Sequence, residues 1–222
     1  MNATEIPMQC HQPSSAEAVH RRHALLLLAA TAWTAIPCRA TGQTTNSTVA
    51  VTASASGDSI VTRCLQTGGC VVLLRHAATE PGVGDPPDFS LDDCRTQRNL
   101  SAAGQHDARR IGIWFASRKL TPRAVLFSAW CRCKGTADLA FGKHAVWAAL
   151  NSTLNSTFGD RVQQPDQTGL LRQAMARMPA RQFEVWVTHQ VNISALTGQG
   201  RAMGEAFILD RDGRLLARST FA

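Results

Sequence analysis

Two short apolar runs, each ending at a histidine, constrain this chain more than any other feature. Val71 to Leu74 is unbroken and apolar, follows Gly68 and Gly69, and leads into Arg75 and His76. Phe183 to Thr188 alternates, turns apolar and stops at His189. A short apolar run bounded by glycine reads as a strand buried on both faces, the habit of parallel sheets. In open parallel sheets, ligands bind beyond the carboxyl ends of the strands. Both histidines are therefore predicted at the ligand edge.

The remaining pattern fits that frame. Ala124 to Phe127, just after Pro122, reads as another buried strand. Ser101 can cap a helix running to about Lys119, with Ala108, Ile111, Trp114 and Phe115 on one face. Further helices are predicted from about Trp130 to Phe141, stopped by Gly142, and from Gln167 to Met178, closed by Pro179. Residues 81–93, rich in proline, glycine and aspartate, read as loop. Glu205 to Leu209 and Arg214 to Ala217 flank Asp210 to Gly213, a strand–turn–strand with Asp-Gly in the turn. Strands alternating with helices give an α/β domain with a largely parallel sheet, and the closing hairpin adds an antiparallel edge. Leu-Asn-Ser-Thr occurs twice in tandem at 150–157, too little for a repeat architecture.

The amino terminus reads as an address. Arg21 and Arg22 precede the apolar run Ala24 to Ala30, and small residues follow up to Ala40. Residues 1–40 are thus expected to be a secretory signal peptide, and the mature protein periplasmic or secreted. The alternatives are an uncleaved anchor, a twin-arginine signal built on Arg21-Arg22, and a start at Met8. Residues 41–59, rich in Thr, Ser, Ala and Gly, are expected to be a flexible leader, and residues 60–222 the folded domain.

The chain carries 23 Lys and Arg against 16 Asp and Glu, a formal charge of +7. Removing 1–40 changes this little, so anionic partners are favoured. No helix shows a basic stripe and aromatics are scattered, which argues against nucleic acid. A small phosphorylated substrate or an anionic envelope surface suits the charge better. Five cysteines follow residue 40: Cys64, Cys70, Cys94, Cys131 and Cys133. In an oxidising compartment they can pair, and the odd count leaves one over. A zinc site on Cys131, Cys133 and His144 would need a spacing that structural zinc rarely uses.

Two histidines and two arginines, Arg75 and Arg132, can converge on one crevice, because Arg132 lies just beyond the Ala124–Phe127 strand. Guanidinium forks give charge-assisted hydrogen bonds to phosphoryl oxygens. The surrounding blocks resemble the histidine phosphatase superfamily, also called phosphoglycerate-mutase-like. That family opens on a strand ending in Arg-His-Gly, here Leu74-Arg75-His76-Ala77. Its Arg-x-Leu-Thr/Ser-x-x-Gly block is matched by Arg98 to Gly104, its Ser-x-x-x-Arg block by Ser128 to Arg132, and its Gly-His or Ser-His by Thr188-His189. The blocks fall in family order over about Gly69 to Leu209. The stretch Thr188 to Gly198 is further similar to small exported phosphatases of lipopolysaccharide-core heptose phosphate.

The resemblance implies a three-layer fold with helices on both faces of the sheet, and a phosphomonoesterase that needs no metal or other cofactor. His76 would be the nucleophile and become phosphohistidine. Arg75, Arg132 and a charged His189 would bind the phosphoryl oxygens. Two departures stand out. Ala77 replaces the family's glycine, and Gln190 follows His189 where one branch carries the acid that protonates the leaving group. Glu205 and Asp160 are the candidates for that acid, with Asp85 a third. A non-catalytic phosphate-binding module of the same fold is the alternative function, and export argues against a mutase. If Arg75 and Arg132 meet on one phosphate, Cys94 comes within disulfide reach of Cys131 or Cys133. Cys70 lies at the far end of its strand, with Cys64 as its expected mate.

Overall fold

A strand can be apolar at every position only if both its faces are covered, and the sheet supplies that cover by placing β1 (Cys70–Arg75) and β4 (Phe183–Thr188) at its centre. The computed structural model describes residues 47–152 and 166–221. The predicted signal peptide, Asp160 and most of the Leu-Asn-Ser-Thr tandem lie outside the described residues. β1 and β4 pair in parallel, from Cys70 opposite Phe183 to Arg75 opposite Thr188. β2 (Ala124–Phe127) runs parallel along the other side of β4, and the two-residue β3 (Ala145–Val146) lies outside it. On the opposite flank β5 (Ala206–Asp210) is antiparallel to β1, and β6 (Leu215–Ser219) is antiparallel to β5. The order is β3-β2-β4-β1-β5-β6. The fold is thus the α/β sheet with an antiparallel hairpin edge that the sequence alternation implies.

Strand period two splits the core into two layers. Val72, Leu74, Val185 and Val187 face one side. There they meet Val61 and Leu65 of α1 (Ser47–Thr67), Ile111, Trp114 and Phe115 of α2 (Ala102–Ser117), and Cys133 and Ala137 of α3 (Cys131–Phe141). Val71, Leu73 and Trp186 face the other side, against Leu171 and Met175 of α4 (Gln167–Ala176) and Ile193 of α5 (Gln190–Thr197). Helices therefore cover both faces. Among the described residues no helix is long and apolar enough to cross a membrane.

Three elements differ from the sequence reading. The leader expected over 41–59 is helical from Ser47, in α1. Among its described side chains, Asp58 accepts from Trp114 Nε1 at 3.2 Å and from Arg118 at 2.7 Å, and Val61 and Leu65 are buried. Two apolar anchors four residues apart give a composition-based reading too little periodicity to detect. α5 escapes sequence analysis because eight residues barely exceed two turns, and β3 is too short to leave a pattern. The ends of α2 and α4 fall two residues earlier than expected, as fraying helix termini do.

The Arg98–Gly104 block has a mechanical role. Ser101 donates to the carbonyl of Ala78 from its backbone N–H at 3.0 Å and from its hydroxyl at 3.3 Å. The same hydroxyl caps α2 by accepting from the Gly104 N–H at 3.1 Å. A Cβ on Gly104 would stand 1.9 Å from the Ala78 oxygen, so only glycine permits the approach. The first turn of α2 is thereby pressed onto the backbone two residues after His76. Gly104→Ala is expected to destabilise the domain by about 1–3 kcal/mol, the usual cost of forced overpacking. A lowered urea midpoint with unchanged slope checks it, and an unchanged midpoint would show that the contact yields freely.

Candidate active site

Three adjacent strands end at one level and deliver the chemistry together. The His76 N–H donates to the Thr188 carbonyl at 3.0 Å, and the Ser128 N–H to Val187 at 3.0 Å. From the other flank the Gly204 N–H donates to the carbonyls of Arg75 and His76, at 3.2 and 3.0 Å. The register of β1, β4 and β2 thus sets Arg75-His76, His189 and Ser128 side by side. The His76 and His189 rings stand 5.5 Å apart, edge to face, and both are buried.

The hydrogen on His76 can be assigned. Its Nδ1 lies 2.9 Å from the Ala77 carbonyl. A carbonyl only accepts, so Nδ1 carries the hydrogen and Nε2 keeps its lone pair. Burial, with added repulsion from Arg132, Arg75 and Arg98, pushes the ring down to about 3, against the opposing hydrogen bond to Ala77. His76 is therefore neutral throughout the physiological range. The methyl of Ala77 is fully buried, and its N–H donates to Thr136 Oγ1 at 3.0 Å. Alanine thus stands in the glycine position with its backbone tied to α3.

His189 presents Nε2 to Ser128 Oγ at 2.7 Å and to Cys133 Sγ at 3.6 Å. Burial, followed by Arg132, His76, Arg75 and Arg98, holds its ring well below the ordinary value. The protein's own groups therefore favour a neutral His189; the charge that the resemblance implies concerns the ring when it binds phosphoryl oxygens.

Three guanidinium groups surround the histidines. Arg132 is almost fully buried, and its Nη1 contacts both oxygens of Asp85 at 3.0 Å. Arg75 donates from Nη1 to the Arg201 carbonyl at 2.7 Å and to Gln190 Oε1 at 3.4 Å. Arg98, to which the sequence reading gives no role, donates from Nη1 to the Val83 carbonyl at 3.0 Å and from its backbone N–H to Asp85 at 2.9 Å. Burial first, then mutual repulsion, lowers Arg75; burial lowers Arg132 against the pull of Asp85. Among the described residues, five buried side-chain polar atoms lack a partner: Nε of Arg75, Arg98 and Arg132, Trp130 Nε1 and Gln167 Oε1. Four of these are N–H donors belonging to the site or to its flanking Trp130. An unmet buried donor costs about 1–3 kcal/mol. An anion would answer several of them at once and relieve the repulsion among the guanidiniums.

The carboxylates are arranged differently from the sequence expectation. Glu205 opens the turn into β5, and its carboxylate takes the Ala202 N–H at 3.2 Å and faces Arg201 at 3.4 Å. It reaches Arg75 through its backbone carbonyl, at 3.0 Å. Of the three candidate acids, Asp85 is the one joined to a site arginine, and Asp160 lies outside the described residues. Gln190 ties Arg75 to the Arg201 N–H, the latter at 2.9 Å.

A disulfide joins Cys94 to Cys131, with Cα atoms 5.6 Å apart. It sits next to Arg132, as the convergence of the two segments requires, and Gln97 Oε1 accepts the Cys131 N–H at 2.9 Å. Cys133 is free and buried. The pairing expected between Cys64 and Cys70 is not formed. α1 continues to Thr67, so the helix presents the carbonyl of Cys64, and the Cys70 thiol donates to it at 3.6 Å. The zinc alternative loses Cys131 to the disulfide, and His144 pairs with Asp138.

Comparison of the sequence with family models and with curated proteins finds no match. Among solved structures, the chain is similar to TTHB049 from Thermus thermophilus, at 18% identity and TM-score 0.45, over 67% of this chain and 98% of that one. It is similar to the protein histidine phosphatase SixA complexed with tungstate, at 14% identity and TM-score 0.43, over 66% and 92%. A third is the mycobacterial glucosyl-3-phosphoglycerate phosphatase with VO3, at 16% identity and TM-score 0.45, over 64% and 92%.

The depressed histidines have a consequence for stability. Unfolded, His76 and His189 bind protons near pH 6.5; folded, both do so only at lower pH. The unfolded state therefore gains protons first as pH falls. Stability should be full above about 6.5 and decline below it, by up to ~1.4 kcal/mol per pH unit for each ring. Urea midpoints from pH 7.5 to 4.5 check this. His76→Gln should flatten the decline, and an unaltered slope would show that His76 ionises as freely folded as unfolded.

Proposed function

We propose that the protein is an exported phosphomonoesterase that works through a phosphohistidine on His76. The observation that carries this reading is a buried, neutral imidazole with a free Nε2 lone pair, ringed by buried N–H donors without partners. The lone pair attacks phosphorus in line; the N–P bond forms as the bond to the leaving oxygen breaks. Arg75, Arg132 and His189 hold the phosphoryl oxygens, and Arg98 adds positive charge beside them. A carboxylic acid gives its proton to the leaving oxygen, with Glu205, Asp160 and Asp85 as the candidates. Water then attacks the phosphohistidine, releasing phosphate and restoring the imidazole. Imidazole and guanidinium supply the nucleophile and the charge stabilisation, so no metal enters any step. The substrate class is a small phosphorylated compound or a lipopolysaccharide-type phosphate in the periplasm or cell envelope.

A second reading, a phosphate-binding module without turnover, draws on one observation. The two candidate acids among the described residues, Asp85 and Glu205, are already ion-paired with arginines. Hydrolysis of an aryl phosphate by wild type and by His76→Ala separates the two. Turnover present in the first and abolished in the second, with oxyanion binding retained, supports the enzyme. Equal rates would remove His76 from the chemistry. Arg132→Ala should cost at least about 100-fold in kcat, as expected for the loss of a transition-state donor. A loss under about tenfold would take Arg132 out of the pocket. Excess chelator should leave the rate unchanged; a loss restored by zinc or magnesium would instead identify a metallophosphatase.

A further inference from the structure

A chain of buried polar groups stands against His189 Nε2. Ser128 Oγ lies 2.7 Å from Nε2 and 3.3 Å from Asn151 Oδ1, and Ser128 is fully buried. The Ala129 N–H donates to Asn151 Oδ1 at 2.8 Å, which fixes that atom as the amide oxygen. Asn151 is itself held by its backbone. Asn192 donates from Nδ2 to the carbonyls of Leu150 and Asn151, at 2.8 and 3.0 Å, and Thr188 Oγ1 donates to Leu150 at 2.8 Å. Asn192 belongs to the Thr188–Gly198 stretch that the sequence analysis singled out, and the mechanism above leaves it without a role.

Hydrogen counting assigns the chain. Three neighbours can take the single hydroxyl hydrogen of Ser128: Asn151 Oδ1, His189 Nε2 and the Cys133 thiol. Asn151 Oδ1 is the one that can only accept, and giving it the hydrogen leaves no bare oxygen facing another. The backbone N–H of Trp130 donates to Ser128 Oγ at 3.4 Å. The remaining lone pair of Oγ then faces His189 Nε2, and that contact closes only if Nε2 bears a hydrogen. The opposite arrangement, with the hydroxyl donating to Nε2, sets two bare oxygens against each other at 3.3 Å. Cys133 Sγ, also beside Nε2, is a further weak acceptor.

We propose that Asn151, acting through Ser128, holds the ring hydrogen of neutral His189 on Nε2 and so makes Nδ1 the atom that takes up a proton when an anion enters the crevice. Asn151 and Ser128 are positioning residues in this scheme. The proposal rests on the anion-binding part of the phosphatase reading and not on turnover. The groups bearing on His189 are Arg132, Arg75, Arg98 and His76, with the Cys133 thiol and the Trp130 ring against it. The three arginines and burial oppose a charge on the ring, and an anion placed among them removes that opposition. One proton, from solvent or from a protonated ligand, then binds Nδ1. No other covalent bond changes, and Nδ1–H becomes a donor to the anion. Oxyanion binding is thereby linked to the uptake of one proton.

The test uses two measurements on the whole protein. Long-range ¹H–¹⁵N spectra of histidine-labelled protein at pH 7, without added anion, should show His189 as the Nε2–H tautomer. Ser128→Ala should shift it toward Nδ1–H, and Ser128→Thr, which keeps the hydroxyl, should not. The second measurement is molybdate affinity from pH 6.5 to 8.5, where the probe stays a dianion. Wild type should weaken about tenfold per pH unit, the signature of one linked proton. Ser128→Ala and Asn151→Leu should flatten that slope, because a ring already bearing Nδ1–H binds without uptake. An Nδ1–H tautomer in wild type, or an equal slope in a folded Ser128→Ala, overturns the proposal. Should the variants fail to fold, the wild-type tautomer alone decides. A wild type that shows the tautomer and the slope but hydrolyses no phosphate ester sinks the enzymatic reading and leaves this one standing.

Discussion

The parallel pairing of β1 with β4 is the constraint on which the site depends. Its register sets Arg75 opposite Thr188. The next residue of each strand, His76 and His189, then emerges at the same level. A slip of one residue would turn every side chain of β1 to the other face and separate the two rings. The register is secured by burial on both faces, since Val72 and Leu74 pack against α1, α2 and α3 while Val71 and Leu73 pack against α4 and α5. The two cores that stabilise the sheet are therefore also what places the two histidines side by side.

The surrounding electrostatics follow from that placement. Arg75, Arg98 and Arg132 reach the same edge from β1, from the segment before α2 and from the first turn of α3. Desolvation makes their proximity unfavourable, and Asp85 offsets part of it by clamping Arg132 and the backbone of Arg98. The histidines respond by staying neutral. Strand pairing, helix docking through Ser101 and Gly104, and the Asp85 clamp together hold donors in place that the fold itself does not satisfy. Strain of this kind is commonly stored where a ligand will later relieve it.

The sequence reveals most of this where a pattern has enough length. Central strands are legible because burial on both faces leaves an unbroken apolar run, and α2 because four apolar residues keep helical spacing. α1 is not, since Val61 and Leu65 are nearly its whole described apolar face. Arg75, His76, Arg132 and His189 can be read from their places at element ends. Arg98 stands in a recognisable block but carries no signal of its own, because its contribution is a field felt across space. Glu205 looks available from sequence position, and only coordinates show its carboxylate spent on the 201–204 turn. Asn151 and Asn192 are invisible for a similar reason: their hydrogen bonds to Ser128, Ala129, Leu150 and Asn151 span 22 to 42 residues.

The Cys94–Cys131 bond reaches beyond the folded state. Arg98 lies four residues from one sulfur and Arg132 one residue from the other. In the oxidised but unfolded chain, a flexible segment of five residues in all spans roughly 12 Å, against a Debye length of about 8 Å at physiological salt. The repulsion between the two guanidiniums is then largely screened by water and salt, and it is met only as the crevice assembles. What the bridge brings forward is proximity: the two arginines start as neighbours, so the chain entropy of bringing their segments together is already lost in the unfolded state. The cross-link tethers a loop, and it also moves part of the entropic cost of assembling the site into the reference state against which stability is measured.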